Sequence, residues 1–251
     1  MVPAKKERID ILLVDYGLAK SRERGKSLIM SGKVLVDNKP ISKPGMMVSL
    51  ESEIRLKGKD IPYVSRGGLK LEKALTAFQL DVEGYDCLDI GSSTGGFTDC
   101  LLQKGAKRVF AVDVGYGQLA WKLRKDPKVI VFERTNIRNM PFESLPCPVN
   151  IVTIDVSFIS LKIVVPSTLK FTRKNAIILP LIKPQFEIGK GKVGKGGIVK
   201  DPTAHDAVIN DLNLFFNKIG LQSMDIIESP ILGTKGNKEF FMALKKLENL
   251  Q

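Results

Sequence analysis

Asp89-Ile90-Gly91-Ser92-Ser93-Thr94-Gly95-Gly96-Phe97 is the stretch on which the reading of this chain turns. A short apolar run, Cys87-Leu88-Asp89-Ile90, meets three glycines, Gly91, Gly95 and Gly96. A helical pattern then opens at Phe97-Thr98-Asp99-Cys100-Leu101-Leu102. Strand, Gly-rich turn and helix in that order bring a ligand against bare backbone in α/β folds. Further on, Arg108-Val109-Phe110-Ala111-Val112-Asp113 is a second apolar run with an acidic end. A carboxylate there suits hydrogen bonds to ribose hydroxyls. The pair implies a nucleoside-containing cofactor.

The details of the turn narrow the choice. A dinucleotide site uses Gly-x-Gly-x-x-Gly, and glycines at 91, 95 and 96 do not match that spacing. A phosphate loop ends in Gly-Lys-Ser/Thr, whereas this turn ends Gly-Gly-Phe-Thr and holds no lysine. A ligand without phosphates is indicated, and S-adenosylmethionine fits. Its adenosine would face Asp113 and its amino-acid tail the turn. The candidate cofactor contacts are Asp89, Gly91, Ser92, Ser93, Thr94, Gly95, Gly96, Phe97 and Asp113.

The 251 residues suffice for one medium domain plus a small one. Net charge is +12, from 39 Lys+Arg against 27 Asp+Glu, which points to a polyanionic partner such as nucleic acid. Cys87, Cys100 and Cys147 are scattered, so neither a disulfide framework nor a zinc site is expected. No metal site is expected, and the single histidine, His205, is expected to be structural. The N-terminus has no apolar signal core, and the longest apolar runs fall far short of a membrane span. A soluble, cytoplasmic protein is expected.

Before the turn lies a small α+β unit. Helical periodicity from Glu7 to Leu18 puts Ile9, Leu12, Leu13 and Tyr16 on one face, with Gly17 at the end. A second helix is expected from Ser21 to Met30, then short strands at 34–36, 47–50 and 53–56. Lys20, Arg22, Arg24, Lys26 and Lys33 cluster on and after the second helix and can lie against phosphates. The order Ile9-Asp10-x-x-Leu13, Gly17-Leu18-Ala19-x-Ser21-Arg22 and Ile29-x-x-Gly32-x-Val34-x-Val36-Asp37 resembles an S4 RNA-binding domain. That resemblance implies contact with structured RNA through Arg22 and Lys26, with Lys20 beside them.

A charged Gly- and Pro-containing link at about 58–63 separates residues 1–59 from a larger unit, 60–251. There, strands expected at 87–90, 109–113, 129–132, 151–155, 176–181, 221–227 and 240–244 alternate with helices. The pattern implies an α/β fold with a seven-stranded, mostly parallel, Rossmann-like sheet. Asp155 and Lys183 end adjacent strands at the carboxyl edge, where open α/β sheets place their sites. Glu239 precedes the last strand and Lys70 lies in the helix before the first. Lys70, Asp155, Lys183 and Glu239 can therefore converge. Methyl transfer from a sulfonium to a ribose 2′-hydroxyl would use such a set. A lysine takes the proton when desolvation or a second cation destabilises its ammonium, and two carboxylates hold the lysines in place. Which lysine is neutral stays open.

Several motifs then occur in order. They are Tyr63-Val64-Ser65-Arg66-Gly67-Gly68-x-Lys70-Leu71, the 89–98 turn, Glu133-Arg134-Thr135-Asn136 and Asp155-Val156-Ser157-Phe158-Ile159-Ser160-Leu161. Lys183-Pro184-Gln185-Phe186-Glu187 and Ser229-Pro230-Ile231-x-Gly233-x-x-Gly236-Asn237-x-Glu239-Phe240-Phe241 follow. The chain thus resembles the hemolysin-A-like (TlyA) family of ribosomal RNA methyltransferases, which join an S4 domain to a domain similar to FtsJ, the ribosomal RNA 2′-O-methylase. The resemblance implies S-adenosylmethionine-dependent 2′-O-methylation of ribosomal RNA, on cytidine, with RNA or ribosomal subunits as partners. It supports Lys70, Asp155, Lys183 and Glu239 as the catalytic set, with Asp155 also near the cofactor.

Other matched positions carry open roles. Asn136 can reach the adenine side or serve a turn. Phe158 can stack on a base, though a Phe after a strand belongs more often to a core. Gln185, Phe186 and Glu187 can shape the cleft. Arg66, and Lys190, Lys192 and Lys195 in the Gly-rich run 189–197, can meet RNA or be plain surface. Two competing readings are an RNA-binding protein with an inactive methyltransferase fold and, less favoured, a membrane-active hemolysin.

Overall fold

The structure, a computed structural model, describes residues 5–58, 61–189 and 193–246. The chain divides into two compact units, Met1–Asp60 and Ile61–Gln251.

In the first unit, β1 (Lys6–Arg8) leads into α1 (Ile9–Asp15), and α2 (Arg22–Met30) follows. Ser21 caps α2 by accepting from the Arg24 N–H at 3.2 Å, satisfying one of the helix's free donors. Next come β2 (Val34–Val36), β3 (Lys39–Pro40), β4 (Met47–Ser49) and β5 (Ile54–Leu56). Strand β2 pairs with β3 and β5, and β1 with β4, all antiparallel. Periodicity does not disclose β1, because three residues cannot establish an alternation. Tyr16 lies beyond the end of α1 and is 47% exposed rather than facing the core. The core is Ile9, Leu12, Leu13, Leu28, Ile29 and Val34, with Gly25 letting α2 approach the Asp10 carbonyl.

The second unit begins with α3 (Gly67–Ala77), then β6 (Asp86–Ile90), α4 (Gly96–Gln103), β7 (Arg108–Val112), α5 (Trp121–Arg124) and β8 (Val129–Phe132). It continues through β9 (Val149–Ile154), α6 (Leu161–Thr168), β10 (Thr172–Ile182), α7 (Pro184–Glu187), α8 (Pro202–Lys218), β11 (Leu221–Glu228) and β12 (Phe240–Lys246). The seven strands run β11-β12-β10-β9-β6-β7-β8 across one sheet. The five from β10 to β8 are parallel; β12 is antiparallel to both β10 and β11. This is the mixed α/β, mostly parallel sheet that the alternation implies. Leu88, Ile90, Val152 and Ile154 pack on the α6 and α8 side, and Cys87, Val109 and Ile151 on the α3 and α4 side. Period-two alternation thus feeds two separate cores. No helix among the described residues is long and apolar enough to cross a membrane.

Asp10 holds the first unit's charge in place. Its wholly buried carboxylate accepts from Arg8 Nε at 2.9 Å and Arg22 Nη2 at 3.0 Å. The Arg8 hydrogen bond, supported by Arg22, outweighs burial and holds Asp10 down to about 2. Because that value lies below the free carboxyl's, about 3.9, its stabilisation is present above pH ~4 and is lost as pH falls toward 2. Amide exchange of residues 5–58 should therefore accelerate over that window in the native chain. Asp10→Asn should exchange faster at neutral pH and show a flatter acid response; identical acid profiles would remove Asp10 from the effect.

Candidate active site

The order of strands reverses between β6 and β9, and a cleft of about 280 Å³ opens at the carboxyl ends of the strands there. Gly91 ends β6 at φ +79°, and a Cβ on it would overlap the carbonyl oxygen of Asp155. Gly96 begins α4 where a Cβ would overlap Ser65 Oγ and lie 2.9 Å from the Gly68 nitrogen. Only glycine permits both approaches. Gly95, at φ +93°, packs on Leu119 and Leu123, so it shapes the turn without lining the cleft. Ser92, Ser93, Thr94 and Phe97 all reach the cleft wall.

Three further expected cofactor contacts also lie off the cleft wall. Asp89 is wholly buried on the α4 side of the sheet and does not line the cleft. Its oxygens accept from Thr98 Oγ1 at 2.6 Å and Thr153 Oγ1 at 3.1 Å, so it braces the turn from below. Asp113 stands beside the turn but outside the cleft wall, accepting from the Ser93 N–H at 2.8 Å and the Gly115 N–H at 2.7 Å. A carboxylate has about four lone-pair sites, which leaves capacity for a ligand hydroxyl. Asn136 caps a 3₁₀ turn by accepting from the Arg138 N–H at 3.1 Å; of the two roles, the turn is the one observed.

The four candidate catalytic side chains do meet. Lys70 from α3 donates to Glu239 Oε2 at 2.5 Å, and Lys183, just past β10, lies 2.6 Å from Asp155 Oδ1. Lys183 also donates to Ser157 Oγ at 3.1 Å. All four line the cleft together with the 91–97 turn. Lys70, Lys183 and Glu239 have only 12%, 11% and 3% of their side chains exposed, so water screens these pairs weakly. Each ammonium has its own carboxylate. Ser65, Leu232 and Gly233 also line the cleft and were not expected from the sequence. A Cβ at Gly233 would overlap the Glu239 carboxylate, a signal carried only by the spacing from Gly233 to Glu239.

Arg66 is exposed on the cleft wall. Lys20, Arg22 and Lys26 are exposed on the first unit, although Arg22 spends part of its guanidinium on Asp10. Lys190 and Lys192 lie outside the described residues, as does the side chain of Lys195. Phe158 is not core. It is 90% exposed at φ +64°, with its ring 4.8 Å from that of Phe186. Glu187 faces away from the cleft, accepting from Ser160 Oγ at 2.6 Å and the Leu161 N–H at 2.8 Å, and so caps α6. Among the described residues, no group of three or more His, Cys, Asp or Glu is placed to hold a metal ion.

Two family models match the chain: the S4 domain over residues 7–54 and the FtsJ-like methyltransferase over residues 63–246. The 16S/23S rRNA (cytidine-2′-O)-methyltransferase TlyA of Mycobacterium tuberculosis is 45% identical over 243 residues, 96% of this chain and 91% of that protein. Hemolysin A of Brachyspira hyodysenteriae is 38% identical over 93% of this chain and 97% of its own. A solved structure described as a hemolysin of Streptococcus thermophilus superposes with a TM-score of 0.77 at 42% identity, covering 97% of this chain and 89% of that one.

Burial pushes the Asp89 carboxyl up to about 6, against the two threonine hydrogen bonds. The fold therefore favours its neutral form. That contribution is complete below pH ~4 and is lost as pH rises through about 6. Asn fits the same two hydroxyls and carries no charge. The melting temperature of Asp89→Asn should thus gain on that of the native chain as pH rises from 4 to 7. A difference independent of pH would mean that Asp89 ionises as an ordinary carboxyl.

Proposed function

The chain belongs to the TlyA (hemolysin-A-like) family, which joins an S4 domain to an FtsJ-like methyltransferase domain, and we propose that it methylates a ribose 2′-hydroxyl of ribosomal RNA, on cytidine, using S-adenosylmethionine. The observation that carries this reading is one cleft holding both the bare-backbone turn at 91–97 and two lysine–carboxylate pairs.

The cleft fits the cofactor by its donor set. Backbone at Gly91 and Gly96 is open to close approach, and Ser92, Ser93 and Thr94 add hydroxyls. Gly96 begins α4, so free N–H groups at that helix end would face a carboxylate tail. Asp113 would take the ribose hydroxyls with its remaining lone pairs. When bound, S-adenosylmethionine supplies an electrophilic methyl group on a sulfonium. Lys70 and Lys183 are each matched by a carboxylate, so the two pairs add no net positive charge beside a sulfonium.

The protein's remaining tasks are to orient the 2′-hydroxyl and to remove its proton. Lys183, anchored by Asp155 and Ser157, stands at the carboxyl edge to hold the ribose oxygen. Lys70, anchored by Glu239, closes the opposite side. The 2′-hydroxyl proton would pass to whichever of the two lysines is neutral, and its paired carboxylate would balance the ammonium that results. The S4 domain would grip phosphates through Lys20, Arg22 and Lys26; in the second unit Arg66, on the cleft wall, and the basic residues Lys190, Lys192 and Lys195 of the Gly-rich run would add further phosphate contacts. Ribosomal RNA, bare or within a subunit, places this chemistry in the cytoplasm.

Replacing Lys183 by Ala should lower single-turnover methyl transfer on the order of 10³-fold, with cofactor affinity little changed. Unaltered turnover would remove Lys183 from the mechanism. Deleting residues 1–59 should weaken ribosomal RNA binding on the order of ten-fold or more while the remainder keeps its fold. Undiminished affinity would assign the S4 domain another role.

A further inference from the structure

Glu239 precedes the first residue of β12, so its position depends on the loop that delivers it. That loop folds back on itself. The Ser229 N–H donates to the Glu239 carbonyl at 2.8 Å, and the Gly233 N–H donates to the Asn237 carbonyl at 2.8 Å. Lys235 and Gly236 both have positive φ, +60° and +87°. Consecutive left-handed residues do not hold such a shape unaided; the surroundings must fix it.

The fixing comes from the segment before α8. Asn237 is 3% exposed and uses both ends of its amide there. Its Oδ1 accepts from the Val199 N–H at 3.0 Å, and its Nδ2 donates to the Gly197 carbonyl at 3.0 Å. Lys235 Nζ donates to the Gly196 carbonyl at 3.0 Å. On the far side, His205 Nε2 donates to the Val199 carbonyl at 2.9 Å, and its ring packs 5.5 Å from that of Phe240, the neighbour of Glu239. Val199 is thus held at both its N–H and its C=O by residues that do not line the cleft.

We propose that Asn237 is a positioning residue. With His205 it ties the backbone at 197–199 to the loop that sets Glu239, and so fixes the Glu239–Lys70 contact. The proposal rests on the catalytic reading of Glu239 given above. Breaking buried amide hydrogen bonds frees the loop without removing any group from the cleft. A shift of about 1 Å in a reacting group can cost on the order of 100-fold in rate.

The test uses the full chain, ribosomal RNA and S-adenosylmethionine, with single-turnover rate, RNA KM, cofactor Kd and melting temperature all measured. Asn237→Ala should lower the rate on the order of 10- to 100-fold, with KM and Kd within about threefold. Asn237→Asp keeps the acceptor for Val199 but loses the donor for Gly197, so it should fall between Ala and native. The decisive reading is the double-mutant cycle with Glu239→Gln. A residue that acts through Glu239 makes the double variant no slower than Glu239→Gln alone. Additive losses overturn the proposal, as does a rate loss matched by lost cofactor affinity and melting. Should the Ala variant not fold, Asn237→Asp and His205→Gln carry the same cycle. If Glu239→Gln itself turns over normally, the catalytic reading fails; if it is impaired while the Asn237 variants are native in rate, only the positioning role fails.

Discussion

At the switch point of the large sheet, two backbones lie closer than any side chain allows. Gly91 turns left-handed against the carbonyl oxygen of Asp155. The Asp155 N–H donates to the Ile90 carbonyl at 2.9 Å, and the Gly91 N–H to the Val112 carbonyl at 2.8 Å. These contacts fix the ends of β6, β7 and β9 relative to one another. They put the turn at 91–97 and the carboxylate of Asp155 on one wall, with Lys183 one strand away. A side chain at 91 would force β9 off β6 and separate the two halves of the cleft. Gly96 repeats the device against the backbone of Gly68 where α3 meets α4, and Lys70 lies two residues further along α3.

Charge placement follows from burial. Asp10, Asp86, Asp99 and Glu239 are all at or below 3% exposed, and each meets at least one cation: Arg8 and Arg22, Arg108, Lys122 and Lys70 respectively. Asp89 is the exception, with two threonine hydroxyls and no cation. Its carboxyl is pushed up, which is what burial without a counter-charge does. The turn is therefore braced by a carboxyl whose ionisation burial opposes, while Lys70 and Lys183 in the cleft above each have a carboxylate partner.

The parts legible in the sequence are those written in local pattern. Alternation implies all seven strands, and the carboxyl-edge rule puts Asp155 and Lys183 side by side, as they are. What a single sequence leaves hidden is orientation. Asp89 and Gly91 are two residues apart, yet one points into the core under α4 and the other opens on the cleft. Phe158 has the composition of a core residue, but the backbone at φ +64° turns it outward. Arg22 looks like a free cation until Asp10, twelve residues earlier, folds beneath it. The grip on Val199 is hidden for the same reason. Asn237, His205 and Val199 show no common spacing, and only the return of β12 brings them together.

That return is what separates the two halves of the cleft in kind. The turn at 91–97 comes from one stretch of sequence, and its neighbours in β7, β9 and α3 hold its shape. The Lys70–Glu239 pair spans 169 positions of sequence. It exists only when β12 has entered between β10 and β11, antiparallel to both. Loop closure over such a separation is costly in entropy, and the pair's own attraction across a nearly dry cleft cannot be what draws the chain together. Hydrophobic burial of Phe241, Met242, Ala243 and Leu244 supplies that work, and the ion pair forms on a strand already seated. The Lys70–Glu239 pair cannot form until β12 is seated, so its presence reports the completeness of the sheet.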